Sequence, residues 1–500
     1  MNFTNVFGFR AAVSTLALAL MLTLGQAATA PHVTTSPFTA PPTGTFSVSG
    51  SGFAANTAVD IYFDTTDIAL LATNASGDFK DSVITVPASA VPGGHYITAV
   101  SRNGDAAAQT VVDVQTSWSQ FNWGTPAKRY NPVENVLSTA NVGGMDVLWS
   151  YTTGNQVQSS PAVANPNSTP GGLDYVYVGS SDDKLYAFFA DTGNLAWSAT
   201  TGNEIQSSPA VANGVVYVGS LDHNLYAYSA QTGGLLWKYT TGDQITSSPT
   251  VANGVVYVGS HDDTLYALNA ATGSLLWKYT TIGAPIYSSP AVANGVVYVG
   301  TEYPAVEAYS ATTGAFVWAY QTFGYVQSSP AVANGVVYVG SEDTNLYALN
   351  ARTGTLLWSY ATGNQVNSSP AVANGVVYVG SNDKNLYALN ARTGALLWKY
   401  TTGGEVSSSP AVANGVVYVG SDDNNLYALD AATGILLWSA STGNQINSSP
   451  TVANGVVYVG SNDNNLYAFG IPPVEGSPFA PPPRPDPATL RPDLTLKLHP

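Results

Sequence analysis

The sequence predicts an all-β protein, an eight-bladed β-propeller preceded by a small Ig-like β-sandwich. Three observations predict it. The tripeptide Ser-Ser-Pro recurs with its proline at Pro161, Pro209, Pro249, Pro290, Pro330, Pro370, Pro410 and Pro450, at spacings of 48, 40, 41, 40, 40, 40 and 40 residues. Each unit holds four short β-rich segments, and a period of about 40 residues with that content is the signature of a propeller blade. Ahead of the repeats, residues 31–116 alternate in short strands such as VDIYFD and HYITAVSR, broken by turn residues around Asn74–Gly77 and Pro92–Gly94, the pattern of a sandwich.

Within one unit, strand A is SSPAVA and strand B is VVYVGS, joined by Asn-Gly as at Asn374–Gly375. Asn-Gly between two apolar runs is a strong hairpin signal, because both turn residues must take positive φ. Strand C is NLYALNA and strand D is LLWxY, joined by a turn ending in Thr-Gly. The eight D strands carry Trp149, Trp197, Trp237, Trp277, Trp318, Trp358, Trp398 and Trp438, which read as residues docking one blade on the next. Trp149 precedes the first strand A, and the last unit has no D strand after it. Val147–Tyr151 is therefore expected to pair with Asn465–Phe469, which joins the two ends and hides the edge strands. The 8 extra residues of the first unit fall in PNSTPGGLDY and predict a longer hairpin loop.

Composition excludes several function classes. The chain has 500 residues, with Lys+Arg 15 against Asp+Glu 31 and a net charge of −16. So few basic residues exclude a nucleic-acid binder, which needs clustered Lys and Arg. Cys is absent, so there is no disulfide framework, thiolate metal site or thiol nucleophile. The five His residues show no metal-ligand spacing, and no metal site or catalytic residue is expected. Residues 1–30 read as a signal peptide, with one basic residue, the apolar run Ala11–Gly25 and small residues after it. That run is too short for a membrane span, so a secreted, extracellular or cell-surface protein is expected.

The unit ALNARTGTLLW (Ala348–Trp358) resembles the tryptophan-docking motif of quinoprotein alcohol dehydrogenases. The whole repeat, with its lead-in from residue 117, is similar to the PQQ-like β-propeller repeat. That family includes dehydrogenases using pyrroloquinoline quinone with calcium and non-enzymatic relatives such as the outer-membrane assembly lipoprotein BamB. The resemblance implies an axial Glu, Asn and Asp set for the enzymes, and no such set can be placed on these compact units. BamB-like lipid attachment needs a Cys, which this sequence lacks. The leading module looks like bacterial extracellular Ig-like domains. Residues 117–146 read as a lead-in linker, residues 147–470 as the propeller, and residues 471–500 as a Pro-rich, extended or disordered tail.

Strand alternation puts the D-to-A and B-to-C loops on one face. The Asp repeated in the B-to-C loop (Asp182, Asp222, Asp262, Asp343, Asp383, Asp423 and Asp463) reads as a turn-capping residue rather than a calcium rim, because carboxylates in separate blades lie far apart. Gln156, Glu204, Gln244, Gln365, Glu405 and Gln445 recur in the D-to-A loops as solvated polar groups. Departures from the repeat are the better binding candidates. The fourth unit has Tyr303 in place of the repeated Asp, with Glu302 beside it, and Tyr287 where other units have Gln, Thr, Asn or Ser. The next loop adds Phe323 and Tyr325. Aromatic rings beside a carboxylate suit a sugar or a peptide. The expected function is non-covalent recognition of a protein or carbohydrate ligand by a binding or scaffold protein, with no cofactor. The alternative is an alcohol or aldose dehydrogenase using pyrroloquinoline quinone and calcium.

Overall fold

The computed structural model describes residues 30–121, 128–166, 173–281, 284–472, 483–493, 496 and 498. The expected signal peptide lies outside the described residues. Strands dominate throughout; the helices among the described residues are two short 3-10 turns, Val142–Gly144 and Pro487–Thr489. None is long and apolar enough to cross a membrane.

The repeats fold into four-stranded antiparallel sheets whose strands follow one another as A, B, C and D. In the sixth repeat these are Ala371–Ala373, Val376–Gly380, Asn385–Asn390 and Leu396–Thr401. The Asn-Gly turns form as the sequence requires: Asn374 has φ 49° and Gly375 has φ 80°, the paired positive values of a two-residue hairpin. Among the described residues eight such sheets follow in chain order, the seventh extended by Tyr130–Asn131. The last sheet takes its D strand from the start of the propeller. Asp146–Thr152 pairs antiparallel with Asn465–Gly470, as the strand count anticipates.

The sheets are docked by a contact repeated around the assembly. The indole Nε1 of Trp318 donates to the Ala351 carbonyl of the next blade at 3.0 Å, and the Tyr298 hydroxyl donates to the same oxygen. The ring lies flat on Gly354, where a Cβ would sit 2.6 Å from the indole. Trp149 makes the equivalent contact across the closure, donating to Ala190 at 2.9 Å and covering Gly193.

Ser-Ser-Pro has a structural meaning that its recurrence alone does not reveal. The amide of each second serine donates to the hydroxyl of its counterpart one blade on. These bonds run Ser160 to Ser208, Ser248, Ser289, Ser329, Ser369, Ser409 and Ser449, then back to Ser160, at 2.8–3.0 Å. The first serine ties its own blade together, as Ser368 Oγ does by accepting the Gly380 amide at 3.1 Å. All of these serines are buried, so the circuit satisfies backbone groups that water cannot reach.

Part of residues 117–146, the lead-in linker of the sequence, packs against the blades. Its residues 118–120 and 128–131 cap the innermost strands. Trp118 pairs with Val163 of the first blade, and the Ser119 carbonyl accepts from Val211 of the second. Gln120 accepts from Val251 of the third. Beyond residues 122–127, which lie outside the described residues, Lys128 and Arg129 accept from Val372 and Val412, and Asn131 donates to Val452. Strand A is the innermost strand and would otherwise leave an unpaired row of backbone groups. Its pairing need, invisible in a local pattern, is what draws the lead-in there. Arg129 is fully buried, donating to the carbonyls of Phe121, Ser409, Pro410 and Pro450 and packing 4.6 Å from the Phe121 ring. Burial pushes its guanidinium down to about 9.

Ahead of the ring, one sheet of three strands (His32–Ser36, Thr45–Ser51, Phe79–Thr85) faces one of five (Thr39–Ala40, Ala107–Val114, Gly93–Ser101, Ala58–Phe63, Thr66–Ala72). Their inner residues, among them Phe46, Val48, Ile61 and Ile97, share one core. The sandwich meets the propeller where Gln115 Nε2 donates to Asp113 at 2.6 Å and to Asp174 of the first blade at 3.0 Å. Burial pushes Asp113 up to about 6; burial and the neighbouring Asp113 push Asp174 up to about 7. The tail is extended, and residues 483–493 lie on the sandwich, with Leu490 only 8% exposed.

Candidate ligand-binding rim

The repeated Asp of the B-to-C loop holds the rim together. Asp222 Oδ2 accepts from the Gly202 amide of the incoming loop at 2.7 Å and from the Tyr226 hydroxyl at 2.6 Å, while Oδ1 accepts from the Asn224 amide. Burial raises the Asp222, Asp383 and Asp423 carboxyls, but the tyrosine hydroxyl and amide donors outweigh it and hold all three below the usual carboxylate range. Each is fully engaged within its own pair of loops.

The fourth blade breaks this arrangement. Tyr303 occupies the Asp position and Glu307 the Tyr position, so neither half of the Asp–Tyr link remains. Glu307 turns inward instead, buried and accepting from the Tyr309 hydroxyl. Tyr303 is left 48% exposed.

The structure brings the candidate residues onto neighbouring loops. Glu302 donates its amide to the Pro285 carbonyl at 3.2 Å, tying it to the loop that carries Tyr287. The Glu342 amide donates to the Tyr325 carbonyl at 2.9 Å, and the Phe323 amide donates to Asp343 at 2.8 Å. Phe323 is 89% exposed and Tyr325 46%. The four aromatics do not stack on one another. Tyr287 packs on His261, with ring centroids 4.1 Å apart, and His261 Nε2 shares a hydrogen bond with Thr246 at 2.8 Å.

Three residues of this rim escape a reading based on the repeat: Thr246, His261 and Glu342. His261, Glu302 and Glu342 all occupy the position before the repeated Asp. Elsewhere that position holds Ser181, Leu221, Asn382, Asp422 and Asn462. Its variability within a uniform repeat was the available signal. Burial raises the Glu302 carboxyl; burial and then the Glu302 charge raise Glu342. Burial, then Glu302 and Asp243, raise the Tyr287 hydroxyl. The Glu302 charge therefore acts both on Glu342 of the next blade and on the Tyr287 phenol. Across the ring the equivalent polar groups bond among themselves, Asn462 to Asn447 at 2.6 Å and Asn447 to Asp422 at 3.3 Å. The open aromatic side of the rim is confined to the fourth and fifth blades.

A ring of four-stranded sheets joined by tryptophan docking defines a β-propeller of PQQ-like repeats. The chain belongs to the family whose model, described as outer membrane protein assembly factor BamB, matches residues 141–244, 181–289, 280–405 and 382–471. No curated protein matches the sequence. Among solved structures, a europium-containing methanol dehydrogenase superposes with a TM-score of 0.63 at 17% identity, covering 71% of this chain and 98% of its own. BamB from Moraxella catarrhalis gives 0.57 at 18% identity, covering 65% and 99%. A quinohemoprotein alcohol dehydrogenase from Comamonas testosteroni gives 0.62 at 16% identity, covering 74% and 82%. At such identities the likeness is one of fold.

The residues present do not fit a calcium–quinone centre. Among the described residues no group of three or more His, Asp or Glu could hold a metal ion. The repeated Asp residues are each consumed by an amide and a tyrosine hydroxyl, as at Asp222 and Asp463.

Proposed function

We propose that this chain is a secreted or cell-surface binding or scaffold protein. In this reading an N-terminal signal peptide is followed by an Ig-like sandwich and an eight-bladed propeller. Tyr287, Glu302, Tyr303, Phe323 and Tyr325, with Glu342, hold a protein or carbohydrate ligand without covalent chemistry. The observation that carries it is the exposure of Phe323, Tyr325 and Tyr303 on neighbouring loops beside carboxylates. Exposed aromatic faces supply apolar contact area with little entropy to lose, and a carboxylate accepts from sugar hydroxyls or peptide amides. Supporting the reading, the repeated features of the ring are occupied with holding loops and blades together, which leaves the departures free for recognition.

The test is a screen of the purified protein against glycan and peptide arrays, repeated with Phe323→Ala/Tyr325→Ala. Saturable binding lost in the double variant supports the rim. Binding that survives it moves recognition elsewhere. Stoichiometric uptake of pyrroloquinoline quinone with calcium, followed by dye-linked alcohol oxidation, would overturn the binding reading in favour of a dehydrogenase.

A further inference from the structure

The C-terminal segment contains two copies of Arg-Pro-Asp seven residues apart, Arg484–Asp486 and Arg491–Asp493. Both touch the sandwich. In the first, Arg484 Nε donates to Gln109 Oε1 at 2.7 Å while Gln109 Nε2 donates to the Pro485 carbonyl at 2.9 Å. Gln109 is itself held on the sheet by Thr98 at 3.0 Å. In the second, the Asp493 amide donates to Asp67 Oδ2 at 2.6 Å. Between them Leu490 is buried, and further on Leu498 pairs parallel with Leu70. Leu70 belongs to Thr66–Ala72, the edge strand of the five-stranded sheet. The tail therefore combines side-chain readout by a glutamine with pairing at an open sheet edge. Those are the elements by which domains take up extended peptides, and proline-rich chains come to such sites already extended.

The fit is good but incomplete. A cleft of about 550 Å³ remains between tail and sheet, with the Asp60–Arg102 ion pair at 2.9 Å and Tyr62 on one side, Pro487 and Leu490 on the other. Asp67 Oδ1 is buried without a hydrogen-bond donor. A closed state with an unsatisfied carboxylate oxygen is weaker than its contact area suggests. The tail is also joined to the propeller through a proline- and glycine-containing stretch after Gly470 rather than through the sandwich itself. Such a connection lets an identical element be exchanged between copies.

We propose that the outer face and edge strand of the sandwich form a docking site for an extended Arg-Pro-Asp segment. In one chain the site is filled by that chain's own tail, and on exchange by the tail of a second copy. Gln109 reads the arginine and the following carbonyl, Asp67 receives the backbone of the second motif, and Leu490 fills the apolar contact.

The experiment uses the full chain carrying Arg484→Ala and Leu490→Asp, which empties the site without touching it. A fluorescently labelled peptide with the sequence of residues 484–498 is titrated by anisotropy. Saturable one-to-one binding to this variant is expected, with at least tenfold weaker binding to the wild type, whose own tail competes. Adding Gln109→Ala to the variant is expected to lower the affinity at least fivefold. No binding to the variant, or equal binding to variant and wild type, would overturn the site. Thermal unfolding of the ring checks that the variant is folded. Sedimentation of the wild type at rising concentration is expected to show a dimer that the variant lacks; a wild type that stays monomeric throughout would overturn the exchange.

Discussion

The amide of Ser449 donates to the hydroxyl of Ser160, 289 positions earlier in the chain, at 2.9 Å. This bond closes a circuit in which every other link spans neighbouring repeats, and the closing link lies within the 2.8–3.0 Å of the others. Ser160→Ala removes an acceptor from a buried amide, as Ser369→Ala does in the middle of the series. Each is expected to cost about 1–3 kcal/mol. Urea unfolding of the two variants checks it. Equal losses mean that the closure carries the same load as any other joint.

Trp318 is among the most enclosed of the docking tryptophans, 6% exposed, and bonded to Ala351. Trp318→Ala is expected to lose about 3–5 kcal/mol through the cavity and the lost hydrogen bond. Gly354→Ala, which drives a Cβ to 2.6 Å from that indole at φ 71°, should destabilise from the opposite side of the same contact. Denaturant midpoints read both. Near-neutral behaviour in either would show that the blades are not held by this joint.

Arg129 presents its fork to four carbonyls, and among the described residues it has no carboxylate partner. Arg129→Lys keeps the charge but offers one ammonium in place of a planar, multi-donor head. The unmet carbonyls should cost about 1–3 kcal/mol each, and chemical denaturation of Arg129→Lys and Arg129→Ala should show both substantially weakened. A lysine variant as stable as the parent would contradict the role given to the fork.

Stability should respond to pH in two opposite ways. Asp222, Asp383 and Asp423 sit below their ordinary value of 3.8 in the fold. Their contribution is present above about pH 4 and is lost as acid protonates them in the native state. Asp113 and Asp174 titrate near 6 and 7 in the fold and near 3.8 when unfolded. Between about pH 4 and 7 the folded protein thus holds the extra protons, and stability falls as pH rises through that window. Thermal midpoints of Asp113→Asn and Asp174→Asn should lose the second slope and keep the first.

The rim residues should separate binding from stability. Phe323 and Tyr325 expose most or much of their surface, so Phe323→Ala and Tyr325→Ala should change stability by less than about 0.5 kcal/mol. Each should still weaken whichever array ligand the parent retains at least tenfold. A large drop in the thermal midpoint would mark these side chains as structural.

What could be read from the residues was what repeats or what is local. Asn374–Gly375 dictates its own backbone, and the tryptophans mark each D strand, so strand order and the pairing of Val147–Tyr151 were legible. Arg129 was not: it occurs once, in a segment with no period, and three of its four carbonyl partners lie 280 or more positions away. Gln109 and Asp67 were hidden likewise, since a proline-rich tail announces no destination. At the rim, Tyr303 and Phe323 stood out as departures from the unit. His261 and Glu342 occupy a position whose variability was itself the signal, visible only when the units are compared at that one place.

The lead-in binds the innermost strands of the first and the last blades alike, and that has a consequence for assembly. Trp118 and Arg129 are synthesised before any blade, and so is the strand Asp146–Thr152 that the last blade awaits. Thr116 and Asn131 both meet the last blade, at Asn454 and Val452, so these contacts form only when that blade is in place. A linear array of repeats gains stability by increments, each unit leaning on its neighbour. Here the final increment arrives only when Asn465–Gly470 leaves the ribosome. Until then seven blades wait on an open seam, and the chain should fold as one event rather than eight.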